Sequence, residues 1–114
     1  MEVRMIDWQR VDELRDEIGA EDFTEVVDLF LEEVDEVVHR LRTAPDPTRY
    51  EDDLHVVKGS ALNLGFQSIA MFCAVGEKLA ASGGGGTVDI AGVIASYGAS
   101  KSEFLAKIEM PDAA

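Results

Sequence analysis

One stretch of the sequence has the features of a helix bounded on both sides: His55-Val56-Val57-Lys58-Gly59-Ser60-Ala61-Leu62-Asn63-Leu64-Gly65. Upstream, Asp46 offers a side-chain acceptor at an N-cap and Pro47 follows at the first helical position. Downstream, Gly65 can adopt the left-handed conformation that ends helices. At about 100° per residue, one apolar stripe is formed by Tyr50, Leu54, Val57, Ala61 and Leu64.

A second face of this helix carries the residues that could take part in a reaction. His55, Lys58, Gly59 and Leu62 fall together beside the apolar stripe. Residues three and four apart are neighbours on a helix surface, so an imidazole, an ammonium and a bare patch of backbone adjoin one another. The spacing therefore predicts a small chemical site on the surface of the helix.

The same stretch resembles the signature of histidine-phosphotransfer (HPt) domains, roughly His-x-x-Lys-Gly-Ser/Ala-x-x-x-x-Gly. Every fixed position is matched, by His55, Lys58, Gly59, Ser60 and Gly65. The resemblance extends over most of the chain through its length and helix order. It implies a helical bundle, a phosphoryl group carried on the Nε2 atom of the histidine, an Nδ1 atom held by a hydrogen bond, and receiver domains as partners.

Periodicity predicts five helices and no strands. Their expected bounds are about 7–18, 21–43, 47–64, 67–82 and 88–109. Short connections between long amphipathic helices favour antiparallel neighbours. The predicted fold is therefore all-α, an antiparallel up-down four-helix bundle with an additional short N-terminal helix, in one domain that spans residues 1–114.

The last two helices carry more specific predictions. We expect Ile69, Phe72, Cys73, Gly76, Leu79 and Ala80 to face inward on the fourth helix. Gly76 on that face indicates either a close helix contact or a weak point. Gly83-Gly84-Gly85-Gly86 is expected to be a flexible loop without chemistry, since no strand precedes it and no Gly-Lys-Ser/Thr follows. Thr87 is expected to cap the last helix.

Composition and charge exclude several classes of function. Ten Lys and Arg residues against 23 Asp and Glu give a formal charge of −13. This balance argues against nucleic acid and against anionic membranes as partners. Cys73 is the only cysteine, so no intramolecular disulfide or thiolate cluster can form. Neither a leader segment nor a membrane span is recognisable, and the expected location is the cytoplasm.

The residues favour a neutral imidazole acting as a nucleophile toward phosphorus. His55 would attack the aspartyl phosphate of a receiver domain, Lys58 would balance charge on the transferring oxygens, and Gly59 would leave the imidazole accessible. The protein itself needs no cofactor, because the Mg²⁺ is expected on the partner receiver domain. His39 and Glu77 are interpreted as solvated surface residues, and no metal site is expected.

Docking requires an apolar patch, because the acidic receiver sites that the resemblance implies would not be attracted to an acidic chain. Leu62 is the first candidate, with Phe66 and Leu29 as additions. Ser60, Asn63 and Gly65 are expected to be structural, Ser60 by bonding back to a helix carbonyl. The expected partners are response-regulator receiver domains and a hybrid or cognate histidine kinase. A monomer is expected, because the histidine face must stay open.

The residues leave three functions open. The first is a phosphocarrier without kinase activity of its own, since nothing resembles an ATP-binding loop. The second is a helical adaptor that binds a partner and never carries phosphate. The third is an enzyme that uses His55 as a general base, which we disfavour because short-looped helices predict little concavity.

Overall fold

The computed structural model describes residues 4–108, which form five α-helices and contain no strand. The helices are α1 (Trp8–Ile18), α2 (Ala20–Thr43), α3 (Tyr50–Leu64), α4 (Gln67–Ala81) and α5 (Ile90–Ile108). Short 3₁₀ turns, Pro47–Arg49 and Gly85–Thr87, precede α3 and α5. The predicted all-α bundle with an additional N-terminal helix is confirmed.

The sequence signals place most helix ends correctly. Asp7 caps α1 by accepting a hydrogen bond from the Arg10 amide, and Gly65 ends α3 in the left-handed conformation with φ 82°. Asp46 also caps as predicted, but it caps the 3₁₀ turn, so the α-helical part of the third element begins only at Tyr50.

The predicted cap of the last helix is wrong. The Thr87 hydroxyl donates to the Gly84 carbonyl at 2.7 Å, so it closes the glycine turn instead. Asp89 caps α5, because its carboxylate accepts from the Gly92 amide at 2.9 Å. The helix therefore begins at Ile90, and its predicted end at Glu109 lies outside the described residues.

One apolar core connects all five helices. The predicted stripe of α3 is buried along its whole length, with Leu54 and Val57 fully shielded from solvent. Burial also corrects two helices. In α2, periodicity predicts an inner stripe that includes Val26 and Phe30, but both are half-buried and Leu31 is buried instead. In α4, Phe72 and Leu79 are exposed; both were predicted to face inward.

Polar pairs fix the register of α3 against α2. Arg40 pairs with the buried carboxylate of Asp53, and the Ser60 hydroxyl donates to Glu33 Oε1 at 3.3 Å. Seven residues forward on α3 thus match seven residues backward on α2, as antiparallel packing requires. The Ser60 contact replaces the predicted bond to a helix carbonyl. The result is a fixed orientation for the face of α3 that carries His55.

Two glycines permit close approaches that hold the bundle together. A Cβ atom at Gly65 would lie 2.7 Å from the Asp7 carbonyl oxygen, where α1 meets the end of α3. A Cβ atom at Gly76 would lie 2.5 Å from Leu54 Cδ1. Of the two alternatives that the sequence left open for Gly76, the structure therefore supports a close contact, between α3 and α4.

No helix within residues 4–108 combines the length and the apolar character that crossing a membrane demands. The prediction of one domain over residues 1–114 includes chain ends beyond the described residues and stays a prediction.

Candidate functional site

His55 lies in the second turn of α3 and points to the side on which α4 packs. Its side chain is 75% exposed, yet its Nδ1 atom is 2.8 Å from Glu77 Oε1. The contact joins two helices across 22 residues of sequence. The ring is thus fixed at one nitrogen and open to solvent over the rest of its surface.

Glu77 binds two side chains of α3 at once. One carboxylate oxygen faces His55 Nδ1, and the other accepts a hydrogen bond from Lys58 Nζ. The Glu77 side chain is only 13% exposed, and Lys58 is 28% exposed. Lys58 places a cation against this carboxylate and offsets its negative charge.

This contact determines which imidazole nitrogen carries the proton. An ionised carboxylate can only accept hydrogen bonds, so Nδ1 must donate. In a neutral imidazole the proton then resides on Nδ1, and Nε2 keeps its lone pair. Nε2 faces away from Glu77, on the exposed side of the ring. The arrangement presents a nucleophilic nitrogen to solvent and to any partner that docks over α3.

Gly59 leaves open space one turn along α3 from His55. A Cβ atom built there would meet nothing within 4 Å. The side-chain amide of Asn63, one turn further along α3, donates a hydrogen bond to the Gly59 carbonyl at 3.1 Å. Gly59 differs in this respect from Gly76, where packing requires the absence of a side chain.

A shallow cavity of about 310 Å³ borders the imidazole on the other side. Its lining includes Glu51 and Asp52, which lie one turn before His55, together with Glu77 and Lys78. The surface around His55 therefore has two halves. One half is acidic, toward the N-terminus of α3, and the other carries Lys58, Gly59 and Leu62.

The three predicted docking residues separate in the structure. Leu62 is 56% exposed and Leu29 is 61% exposed, so both are available to a partner. Phe66 is 1% exposed, and its ring packs edge-on against Phe104 with centroids 5.1 Å apart. The assignment of Phe66 to docking is wrong, because this side chain belongs to the core. Val56, which we did not predict, is a second exposed apolar side chain on α3, beside Leu62.

The remaining candidates lack the geometry of a site. His39 is exposed on α2, as predicted. Cys73 is buried beneath Glu77, and burial raises the pKa of its thiol to about 12, with the nearby carboxylate adding to the effect. A reactive thiolate is thereby disfavoured. Within residues 4–108, no group of three or more His, Cys, Asp or Glu side chains is placed to hold a metal ion.

Glu77 is the site residue whose role we misjudged from the sequence. We interpreted it as a solvated surface residue, whereas the structure places it half-buried between His55 and Lys58. The sequence holds one relevant signal: Glu77 follows Gly76, the glycine that brings α4 close to α3. A glycine at a contact lets two helices approach closely, so the side chains of adjacent residues can reach the other helix.

Comparison with known families gives one match. The family model described as "Hpt domain" matches residues 25–105, which is more than half of the chain and includes α3 with His55, Lys58 and Gly59. Searches among curated proteins and among solved structures gave no match.

Proposed function

The chain belongs to the Hpt domain family, and on that premise we propose that it is a phosphorelay intermediate whose phosphoacceptor is His55. Membership implies a phosphotransfer role in two-component signalling. In the proposed reaction, the imidazole accepts a phosphoryl group from an aspartate of one receiver domain and passes it to another. The observation that carries the proposal is the hydrogen bond between His55 Nδ1 and Glu77, because it leaves Nε2 unprotonated and exposed.

The transfer step balances without a further reactant. The Nε2 lone pair attacks phosphorus in line with the bond to the aspartyl oxygen. The nitrogen–phosphorus bond forms while the oxygen–phosphorus bond breaks, and the electron pair of the broken bond returns to the receiver carboxylate. The Nδ1 proton stays in place, so the phosphorylated ring carries positive charge. Glu77 lies 2.8 Å from Nδ1 and offsets that charge.

Lys58 and Glu77 have different tasks in this mechanism. Glu77 is a positioning residue, since it acts through the orientation and tautomer of His55. Lys58 is the nearest cation to the ring on α3, and its flexible stem lets the ammonium move from Glu77 toward the phosphoryl oxygens as they arrive. Gly59 contributes space, which the receiver loops need in order to bring the aspartyl phosphate against Nε2.

Receiver domains dock, in this proposal, over the half of the surface that carries Gly59 and Leu62. Leu62 supplies exposed apolar area one turn beyond Gly59. Leu29 lies four residues before Glu33 on α2, and the Ser60–Glu33 pairing places it near the end of α3. The Mg²⁺ and the loops that bind the phosphoryl group belong to the receiver, and the chain acts as a carrier without kinase activity of its own.

The experiment is phosphotransfer from a phosphorylated receiver domain to the native chain, the His55→Gln variant and the His39→Gln variant. We expect acid-labile, base-stable label on the native chain and on His39→Gln, and none on His55→Gln. His39→Gln is the matched control, because it removes the other histidine of the chain, which is also exposed on a helix. Thermal unfolding of all three proteins shows that the substitutions leave the bundle intact.

Label on His55→Gln would contradict the assignment of the site. Absence of label on the native chain with every receiver of the source organism would favour the adaptor function instead. In that case the Glu77 contact would have to serve stability alone.

A further inference from the structure

An apolar groove lies on α4, away from His55. It has a volume of about 460 Å³. Met71, Phe72, Val75 and Leu79 line it, and Asp89 stands at its edge before α5. These four apolar side chains are 36–57% exposed, an unusual concentration for one helix in a chain with 29% charged residues. The groove also corrects our expectation that the bundle has little concavity.

The spacing of the lining residues matches a helical partner. Ser68, Phe72, Val75 and Leu79 are separated by steps of four, three and four residues. This is the spacing with which one helix presents a seam to another. Gly76 also lines the groove. An amphipathic helix that inserts residues at the i, i+4 and i+7 positions would fit such a groove.

The available area argues against a second copy of this chain as the occupant. Four side chains, each about half exposed, offer less than about 500 Å², because even a whole aromatic side chain buries only about 150–250 Å². A stable interface between two proteins buries about 800 Å² on each partner. A single helix packed into a groove needs less, because the groove surrounds its apolar side chains.

Charge distinguishes the chemistry of the partner. Each chain carries a formal charge of −13, so two copies would repel each other. Asp89 at the edge of the groove adds a local negative charge. A helix with Lys or Arg beside its apolar seam would be attracted, whereas one with Asp or Glu would be repelled.

We propose that the α4 groove is a docking site for an amphipathic helix of a partner protein, with large apolar residues in its seam and basic residues beside it. Glu77 leaves α4 on the flank that faces His55, whereas Phe72 and Val75 leave it on the opposite flank. A helix in the groove therefore leaves the imidazole accessible. The groove serves to hold the chain beside a partner while His55 remains free, and this inference does not depend on phosphorylation of His55.

The test uses synthetic helical peptides of about 18 residues with leucines along one face. At about 1.5 Å per residue, such a helix is longer than the groove, which extends about 16 Å along α4. One peptide has Lys beside the seam, a second has Glu there, and a third has the composition of the Lys peptide in scrambled order. Fluorescence anisotropy measures their binding to the native chain and to the Val75→Ser and Leu62→Ser variants. Val75 and Leu62 are matched in exposure, at 57% and 56%, and neither substitution changes the charge.

We expect the Lys peptide to bind, and Val75→Ser to weaken its affinity about tenfold, the effect of losing one buried apolar side chain. Leu62→Ser should change the affinity less than twofold, and the Glu and scrambled peptides should bind at least tenfold more weakly. Phe72→Ser provides a second groove variant, and thermal unfolding checks that both variants are folded.

Three results would overturn the proposal: absence of binding by the Lys peptide, equal binding of the scrambled peptide, or equal weakening by Leu62→Ser. Sedimentation of the native chain as a dimer that Val75→Ser dissociates would assign the groove to a second copy instead. Receiver phosphotransfer is measured on the same variants. If Leu62→Ser lowers phosphotransfer and Val75→Ser does not, the receiver docks beside His55 and not in the groove. The groove proposal and the phosphotransfer proposal can then fail independently of each other.

Discussion

The two flanks of α4 are built on opposite principles. On one flank Glu77 is half-buried and both of its oxygens are engaged, by His55 and by Lys58. On the other flank Phe72 and Val75 are exposed around an open groove. Charged groups are costly to bury unless they are paired, so the first flank requires a precise partner within the chain. The second flank leaves apolar area for a partner outside it.

The two flanks contribute differently to function. The paired flank fixes one ring nitrogen of a histidine and thereby defines a reactive atom. The apolar flank defines no atom, and its binding energy depends on area and shape. A substitution on the paired flank should therefore change the rate of a reaction, whereas a substitution on the apolar flank should change an affinity.

Replacement of Glu77 should change the rate of phosphotransfer more than any other substitution proposed on either flank. Glu77→Ala removes the acceptor of the Nδ1 proton and should slow phosphotransfer to the chain about 10–100-fold, the cost of one hydrogen bond to a charged group. Glu77→Gln keeps an acceptor but loses the negative charge, so it should retain part of the rate. Rapid-quench phosphotransfer from a receiver domain measures both variants.

Val75→Ser is the control from the opposite flank and should leave the transfer rate within twofold of the native value. Equal rates for Glu77→Ala and the native chain would remove Glu77 from the mechanism. A fall in the rate with Val75→Ser would show that the two flanks are not independent.

Two glycines, Gly59 of α3 and Gly76 of α4, separate effects on stability from effects on rate. Gly76→Ala places a methyl group against Leu54 and should lower the free energy of unfolding by about 1–3 kcal/mol, the usual cost of overpacking. Gly59→Ala meets nothing within 4 Å and should raise it by about 0.5–1 kcal/mol, since alanine favours the helix. Urea unfolding measures both values.

Gly59→Ala should nevertheless slow phosphotransfer, because the methyl group narrows access to the imidazole. A variant that is more stable and equally fast would show that Gly59 has no role in access. A Gly76→Ala variant as stable as the native chain would contradict the close contact between α3 and α4.

The sequence was sufficient for the fold because helix periodicity and end signals are local. The α3 stripe of Tyr50, Leu54 and Val57 is buried as predicted, and Gly65 ends the helix. The face that joins His55, Lys58 and Gly59 follows from spacing alone. These predictions needed only the geometry of one helix.

The errors arise where two helices meet. Glu77 lies 22 residues from His55, and no periodicity within α4 indicates that its carboxylate crosses to α3. Phe66 was predicted as an additional docking residue, yet tertiary packing places it against Phe104. Phe72 is the reverse case, predicted to face inward but exposed. Apolar character alone does not distinguish a core residue from one that lines a groove.

In the proposed mechanism, Glu77 holds the Nδ1 proton of His55 and leaves Nε2 to take the phosphoryl group. Nuclear magnetic resonance of the chain with nitrogen-15-labelled histidine tests it directly, before and after phosphorylation by a receiver domain. We expect that neutral His55 carries its proton on Nδ1 and that phosphorus couples to Nε2 after transfer. A neutral ring protonated on Nε2, or phosphorus bound to Nδ1, would contradict it.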